Sequence, residues 1–517
     1  MAAYRGPRRG APGRRGTTGR AGARRGDQGS ASANRTGTDR SAADRAGTGR
    51  SATGRPGAGR GNSGRGADPP RRTAYDVLAA VDARQAYANL LLPRLLAERG
   101  ITGRDAALAT ELSYGTLRGL GTYDAVLAAC SDRPLDKLDP PVLQVLRLGA
   151  HQLLATRVAA HAAVATSVDL ARAVAGPRVA GYVNAVLRRV ATRDLDAWLP
   201  LVAPDPAADA EGYLAVRHSY PRWIVAAYRD ALGPAADTEL AAALAAGNER
   251  PRVTMAAFPG GPPREAIMPE GAEPTRWSPY GFTLAGGDPS SLVADGLAAV
   301  QDEASQLAAI ALATAPLDGP DRLWLDMCAG PGGKARLLYG LAEEAGARLV
   351  AADLHEHRAA LVRDALARTP HHGSGTTVIT ADGLRPPWPD AAFDRVLLDV
   401  PCSGLGALRR RPEARWRKAE SDLPALTELQ RALLRSALAA CRPGGVVAYV
   451  TCSPVPAETR DVVTAVASST PATEILDAPA ILSSVPDVRS PAPQFAQLWP
   501  HRHTTDAIFI ALLRRTP

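Results

Sequence analysis

The sequence predicts a multidomain chain: an all-α module, a small α+β bridging domain, and an α/β domain whose parallel sheet is covered on both faces. Three observations carry this. Apolar residues recur at helical spacing from about Arg71 to Val190, turn-rich sequence crowds residues 200–300, and beyond residue 300 short apolar runs alternate with helical ones. At 517 residues the chain has room for several cores.

Residues 1–70 are set apart by composition. Residues 1–72 hold 17 Arg and no Lys against 4 Asp and no Glu, a local charge of +13, so the remainder carries −4 of the net +9. No Val, Ile, Leu, Met, Phe or Trp occurs between Arg5 and Arg72, and such a segment buries too little apolar surface to offset the entropy of ordering it. A disordered Arg/Gly-rich tail is expected, suited to neutralising RNA phosphates or to solubilising the chain. Arg and Ser enrichment also fits a transit peptide, but so much Gly and Pro opposes the amphipathic helix that such a peptide needs.

No apolar run approaches the roughly 20 residues of a membrane span, and charges stand where a signal peptide needs an apolar centre. A cytoplasmic protein is expected. The five cysteines (Cys130, Cys328, Cys402, Cys441 and Cys452) are too scattered for a disulfide framework, and no Cys-x-x-Cys pair offers zinc ligands. A reducing compartment suits thiols kept for chemistry.

In residues 71–200, Ala74, Val77, Leu78 and Val81 share one helical face. Leu108, Leu112 and Leu117 follow, then Val142, Leu143, Leu146 and Leu153. Residues 201–300 read as the small α+β domain. Pro200, Pro204, Pro206 and Pro221 break its first part, and Pro251-Arg252-Val253-Thr254-Met255 reads as a strand.

In residues 301–517 the expected strands are Leu323–Met327, Leu349–Asp353, Val378–Thr380, Val396–Asp399 and Val446–Val450. The first feeds the turn Asp326-Met327-Cys328-Ala329-Gly330-Pro331-Gly332-Gly333-Lys334, whose glycines let backbone approach a ligand while the next helix presents its amides. Such a turn alone serves a dinucleotide or simple tight packing equally well. Asp353 ends the next strand, placed to accept two ribose hydroxyls or to cap a helix; Asp382 ends the third, placed to accept from an adenine amino group. The absence of a Gly-Lys-Ser/Thr loop disfavours a nucleoside triphosphatase. Cys402 and Cys452 each follow a strand, so both thiols open into one crevice at the carboxyl ends of the sheet.

These residues resemble the Sun/Fmu family of bacterial rRNA cytosine-5 methyltransferases, the rRNA small subunit methyltransferase B family. The resemblance rests on Val300-Gln301-Asp302-Glu303-Ala304-Ser305-Gln306, the glycine turn, Asp399-Val400-Pro401-Cys402, Thr451-Cys452-Ser453, and Leu429-Gln430 ahead of Arg442-Pro443-Gly444-Gly445. It covers most of the chain after about residue 70. Leu146–Leu154, His161–Val164 and Gly181–Arg189 resemble the NusB-type module of that family, and His218–Ile224 its joint between modules. The departures are Gly330 where Ala is usual, Ala335 where Thr is usual, and Thr459 where many members have Asn.

The resemblance implies a NusB-like RNA-binding domain followed by a Rossmann-like methyltransferase domain using S-adenosyl-L-methionine. It places that cofactor against Cys328, Ala329, Gly330, Pro331, Gly332, Gly333, Lys334, Asp353, Arg358, Asp382 and Asp399. It makes Cys452 the nucleophile that adds to carbon 6 of cytosine, because carbon 5 attacks a methyl group only after such addition. Cys402 would assist loss of the carbon 5 proton and release, and Asp399 would bind nitrogen 3. Lys334 would order the cofactor loop, Glu458 would lend support, and the thiols of Cys328 and Cys441 read as packing groups. RNA contacts are expected from Arg118, Arg147, Arg188 and Arg189, and from Arg409-Arg410-Arg411 with Arg415, Trp416 and Arg417. His355 and His357 are expected to diverge on a helix and His371-His372 to lie in a turn, leaving no metal site. The leading expectation is 5-methylcytosine formation in small-subunit (16S) rRNA. The alternatives are a tRNA or other RNA substrate, and a non-catalytic RNA-binding assembly factor, against which both thiols argue.

Overall fold

The computed structural model describes residues 67–286, 289–369 and 376–517. The Arg/Gly tail and the pair His371-His372 lie outside the described residues.

The N-terminal module is built from α1 (Pro69–Arg84), α2 (Ala88–Glu98), α3 (Gly103–Arg118), α4 (Leu120–Cys130), α5 (Pro140–Ala155), α6 (Ala160–Ala175) and α7 (Ala180–Val190). Asp68 caps α1 by accepting from Arg71 N at 3.0 Å, and prolines fill its first turn, where a missing N–H leaves nothing unpaired. Ala74, Val77, Leu78, Leu112, Val145, Leu146 and Leu187 meet in one core.

Helices continue where the α+β domain was expected to begin: α8 (Leu195–Val202), α9 (Ala210–His218), α10 (Arg222–Leu232) and α11 (Ala236–Ala246). The prolines punctuate these helices rather than preventing them. Pro221 stands at the N-cap of α10 and Pro204 and Pro206 lie between α8 and α9, while Asp194 and Asp209 cap α8 and α9 with their side chains. Tyr220, Ile224, Tyr228 and Leu244 share a core with Leu405, Leu408, Val455 and Trp499, so these helices are the joint to the catalytic layer.

A small antiparallel sheet follows, in the order β2-β3-β1-β4, from β1 (Thr254–Ala257), β2 (Glu273–Pro274), β3 (Gly281–Thr283) and β4 (Ala298–Val300). Two short helices, α12 (Arg264–Ile267) and α13 (Ser290–Ala294), lie between its strands. Its first strand starts later than Pro251 and buries Met255 against Phe282, Leu284 and Ala298.

The last domain runs α14 (Glu303–Thr314), β5 (Leu323–Asp326), α15 (Gly333–Glu344), β6 (Arg348–Asp353), α16 (Glu356–Ala367), β7 (Thr376–Thr380), β8 (Phe393–Asp399), α17 (Leu423–Ala440), β9 (Cys441–Thr451), α18 (Arg460–Ser469), β10 (Thr473–Leu476), β11 (Ala496–Gln497) and β12 (Phe509–Arg515). The sheet order is β10-β12-β9-β8-β5-β6-β7, with β11 beside β12. Strands β5 to β9 are parallel, but β12 runs antiparallel to β9 and β10, so the sheet is mixed rather than wholly parallel. An apolar strand buried on both faces accepts a neighbour of either direction, and β12, buried from Phe509 to Leu513, is such a strand. Apolar cores cover both faces, one around Trp324, Leu338, Leu349 and Leu397, the other around Leu325, Val396, Leu434 and Tyr449. The chain reverses direction across the sheet between β5 and β8, which opens a crevice at their carboxyl ends.

Candidate active site

The glycine turn after β5 is pinned from the neighbouring strand. Ala329 N donates to Ala352 O at 2.8 Å, and Gly330 N to Asp353 Oδ2 at 3.0 Å. Gly332 has φ 108°, a left-handed conformation that needs glycine, and serves as the N-cap of α15 without a side-chain cap. The first amides of α15 are thus left for a ligand. An alanine methyl at Gly330 would stand 2.5 Å from Asp353 Oδ2 and 2.7 Å from Arg358 Nε. The departure at Gly330 therefore does not loosen the turn: Arg358 lies against it, donates to its carbonyl, and pairs with Asp353 at 3.2 Å.

Asp353 also accepts from His355 N at 3.0 Å, though α16 itself starts from His355 without a side-chain cap, so Asp353 anchors the loop and the turn into the helix rather than capping it. Asp382, after β7, accepts from Leu384 N at 2.9 Å and is half-buried. Asp326, at the end of β5, is fully buried, and only the Cys328 amide lies toward its carboxylate, short of full hydrogen-bond geometry. Burial first and the Asp399 charge second push its pKa up to about 8.

Register brings the thiols together. Asp399 on β8 pairs with Val450 on β9; Cys402 lies three residues past the first and Cys452 two past the second. Their sulfurs are 3.3 Å apart. The hydrogen bond from Cys402 holds the Cys452 thiol below its ordinary pKa, against burial and Asp399, and Lys334 acts in the same direction as Cys402. That same bond, with burial and the Cys452 charge, drives Cys402 upward. Of the two thiols Cys452 is therefore the readier to ionise. Lys334 Nζ meets Asp399 Oδ2 at 2.7 Å beside them. Burial pushes the thiols of Cys328 and Cys441 up, the latter to about 12.

The arginine cluster is not an open groove. Arg409 and Arg410 are paired with Asp302 and Asp506, with the closest contact between Arg410 and Asp302 at 2.7 Å. Arg415 is fully buried, donates to Ser219 O at 2.9 Å and Asn248 Oδ1 at 2.8 Å, and lies 4.0 Å from the Tyr220 ring centroid. Arg417 donates to Ala86 O, and a methyl group on Gly121 of α4 would meet Trp416. These side chains bind the catalytic layer to the helices; a run of charges read along the chain hides the acids and carbonyls that meet it in space. Arg147 is likewise engaged by Asp124 at 2.6 Å and Arg189 by Asp132 at 2.7 Å, while Arg118 packs over Tyr114; Arg188 is exposed. His355 and His357 do not diverge. The first precedes α16 with extended backbone, and the rings stack with centroids 5.5 Å apart. Among the described residues no group of three His, Cys, Asp or Glu is placed to hold a metal, and no helix is long and apolar enough to cross a membrane.

Comparison with known proteins fits this geometry. The family described as 16S rRNA methyltransferase RsmB/F matches residues 311–514, and the NusB family matches residues 68–192. A Mycobacterium tuberculosis protein named "Putative methyltransferase Rv1407" is 50% identical over 457 residues, covering 87% of this chain and 97% of its own. Ribosomal RNA small subunit methyltransferase B of Pseudomonas putida is 34% identical, covering 79% of this chain and 91% of its own. The chain belongs to the RsmB/F methyltransferase family. As a member it is an RNA methyltransferase with S-adenosylmethionine as methyl donor. The crystal structure of PH0851 shares the fold at TM-score 0.70 and 22% identity, covering 86% of this chain and 99% of that one.

The residues of this RsmB/F member fit that donor. The uncapped start of α15 and the buried acids Asp326 and Asp353 stand at the carboxyl ends of β5 and β6, beside the crevice between β5 and β8. Sequence reasoning underrated two groups. Glu458 is fully buried between the thiol motifs, and Asp302 and Asp506 neutralise the arginines. A strand-terminal acid beginning the glycine turn was the available signal for Asp326.

Proposed function

We propose that this chain forms 5-methylcytosine in small-subunit rRNA through a covalent adduct between Cys452 and the target base. The observation that carries the reading is the 3.3 Å approach of two thiols, each just past the carboxyl end of a neighbouring strand. The Cys452 thiolate adds to carbon 6 of an unstacked cytosine, forming the S–C6 bond, while Asp399 orients nitrogen 3. S-adenosylmethionine, when bound, supplies an electrophilic methyl group. Carbon 5 then carries both a methyl group and a proton.

Adduct formation removes the Cys452 charge that holds Cys402 upward. Cys402, relieved of that charge, yields its own proton to solvent, and the thiolate so formed takes the carbon 5 proton. Departure of that proton restores the C5–C6 double bond and expels the Cys452 thiolate. Asp353 and Asp382 hold the cofactor's ribose and adenine in this reading, and Lys334 keeps Asp399 in place. Arg250, Arg252 and Arg276, all exposed, border a cleft of about 440 Å³ that reaches Asp302, Arg409 and Arg410, a path for the strand flanking the base.

Bisulfite sequencing of total RNA from cells with and without the gene tests the proposal. Loss of one small-subunit rRNA signal is expected. Loss of a tRNA signal instead would transfer the activity to that substrate, and an unchanged map would overturn it.

A further inference from the structure

Glu458 lies in a short turn (Pro456–Glu458) that leads into α18, and it is fully buried. A buried carboxylate is costly unless its lone pairs are filled, and here they are filled by both thiol motifs. Oε1 accepts from Ser403 N at 2.7 Å and from Gln430 Nε2 at 3.1 Å. Oε2 accepts from Ser403 Oγ at 2.5 Å and from Ser453 Oγ at 2.6 Å. Ser403 follows Cys402 directly, and Ser453 follows Cys452. Gln430, on α17, also donates to Pro401 O at 2.9 Å, on the other side of Cys402. The turn bearing Glu458 is fixed in its own right, since Tyr449 on β9 donates to the Glu458 carbonyl at 2.7 Å.

We propose that Glu458 is the positioning residue that holds the two cysteine loops in register, one carboxylate gripping the serine that follows each thiol. The inference rests on the covalent reading above and assigns Glu458 no contact with the base. Its charge lies on the Cys402 side of the pair and adds to the Cys452 hydrogen bond and the burial that raise that thiol, opposite the Lys334 ammonium that favours ionisation of Cys452. Besides the grip, the two loops are joined by the 3.1 Å contact between Ser403 Oγ and Ser453 Oγ and by the bond from Gly406 N to Cys452 O at 2.8 Å, neither of which reaches both serines from one group.

The test uses the full chain with Glu458→Gln and, as a milder change that leaves no buried charge unmatched, Ser453→Ala. Thiol register is read without RNA. Diamide takes two electrons and two protons from Cys402 and Cys452 as the S–S bond forms, and is itself reduced to the hydrazine; closure is followed by peptide mass mapping. Both variants, with folding checked by thermal melting, should close the disulfide more slowly than the parent. Both should lose kcat for methyl transfer from labelled donor, about tenfold for Glu458→Gln, with KM for the donor unchanged. Parent-like closure and kcat in both variants overturn the proposal, and so does a raised KM with kcat intact, which would place Glu458 in donor binding. If the parent protein makes no 5-methylcytosine, the covalent reading fails while the closure rates still decide whether Glu458 sets the register.

Discussion

Lys334 Nζ stands 2.7 Å from Asp399 Oδ2, and this contact ties the glycine turn after β5 to the end of β8. Burial alone would lower the lysine's pKa, but the Asp399 carboxylate and the neighbouring Cys452 more than offset it, and the ammonium is retained. One cation thus serves the glycine turn, Asp399 and the Cys452 thiol.

Removing that cation has a signed consequence. Lys334 stabilises the thiolate of Cys452, so Lys334→Met should raise the thiol's pKa and move the acid limb of the kcat/KM profile to higher pH. Activity should fall at pH 7 and recover in part near pH 9. A profile measured from pH 6 to 9.5 that keeps its acid limb would show that Lys334 only orders the loop.

The two thiols should fail in opposite ways. Cys452→Ala lacks the nucleophile, so neither methylated RNA nor a covalent complex should form. Cys402→Ala still attacks but releases slowly, so a protein–RNA complex that survives denaturing electrophoresis should accumulate. The reverse pattern would exchange their roles, and activity in both variants would reduce them to packing groups.

Asp353→Ala should weaken binding of S-adenosylmethionine by about 1–3 kcal/mol, because a buried acceptor is lost together with the anchor of Gly330. Asp382 is half-buried, so Asp382→Ala should cost less, about 0.5–1 kcal/mol. Calorimetric affinities unchanged in both variants would remove these residues from the donor site.

Much of this was legible along the chain because the relevant signals are local. The spacing of Ala74, Val77, Leu78 and Val81 marks α1, and the apolar runs ending at Asp326, Asp353 and Asp399 mark strands whose carboxyl ends make the crevice. Cys402 and Cys452 could be placed near each other for the same reason. The antiparallel β12 was not legible, since Phe509 to Leu513 is buried throughout and an apolar run carries no sign of its direction. Glu458 was read only as a support and Asp506 was missed, because their partners come from other elements. Ser403 is 55 residues from Glu458 and Arg409 is 97 from Asp506, distances over which no periodicity speaks.

The arginine cluster gives the sharpest contrast between a linear and a spatial reading. A phosphate-binding arginine lost to alanine reduces the slope of log affinity against log salt by about one, because one fewer counterion is released. Arg409 is held by Asp506 and Arg415 by Ser219 and Asn248, so their guanidinium donors are already engaged within the protein. Arg409→Ala and Arg415→Ala should therefore leave the salt slope of RNA binding intact. They should instead lower the melting temperature, since Asp506 is left buried with one arginine fewer and the Ser219 carbonyl loses its donor. Arg415→Ala should have the larger effect, because it also withdraws a guanidinium stacked on buried Tyr220. A reduced salt slope with an unchanged melting temperature in either variant would return the cluster to the RNA surface.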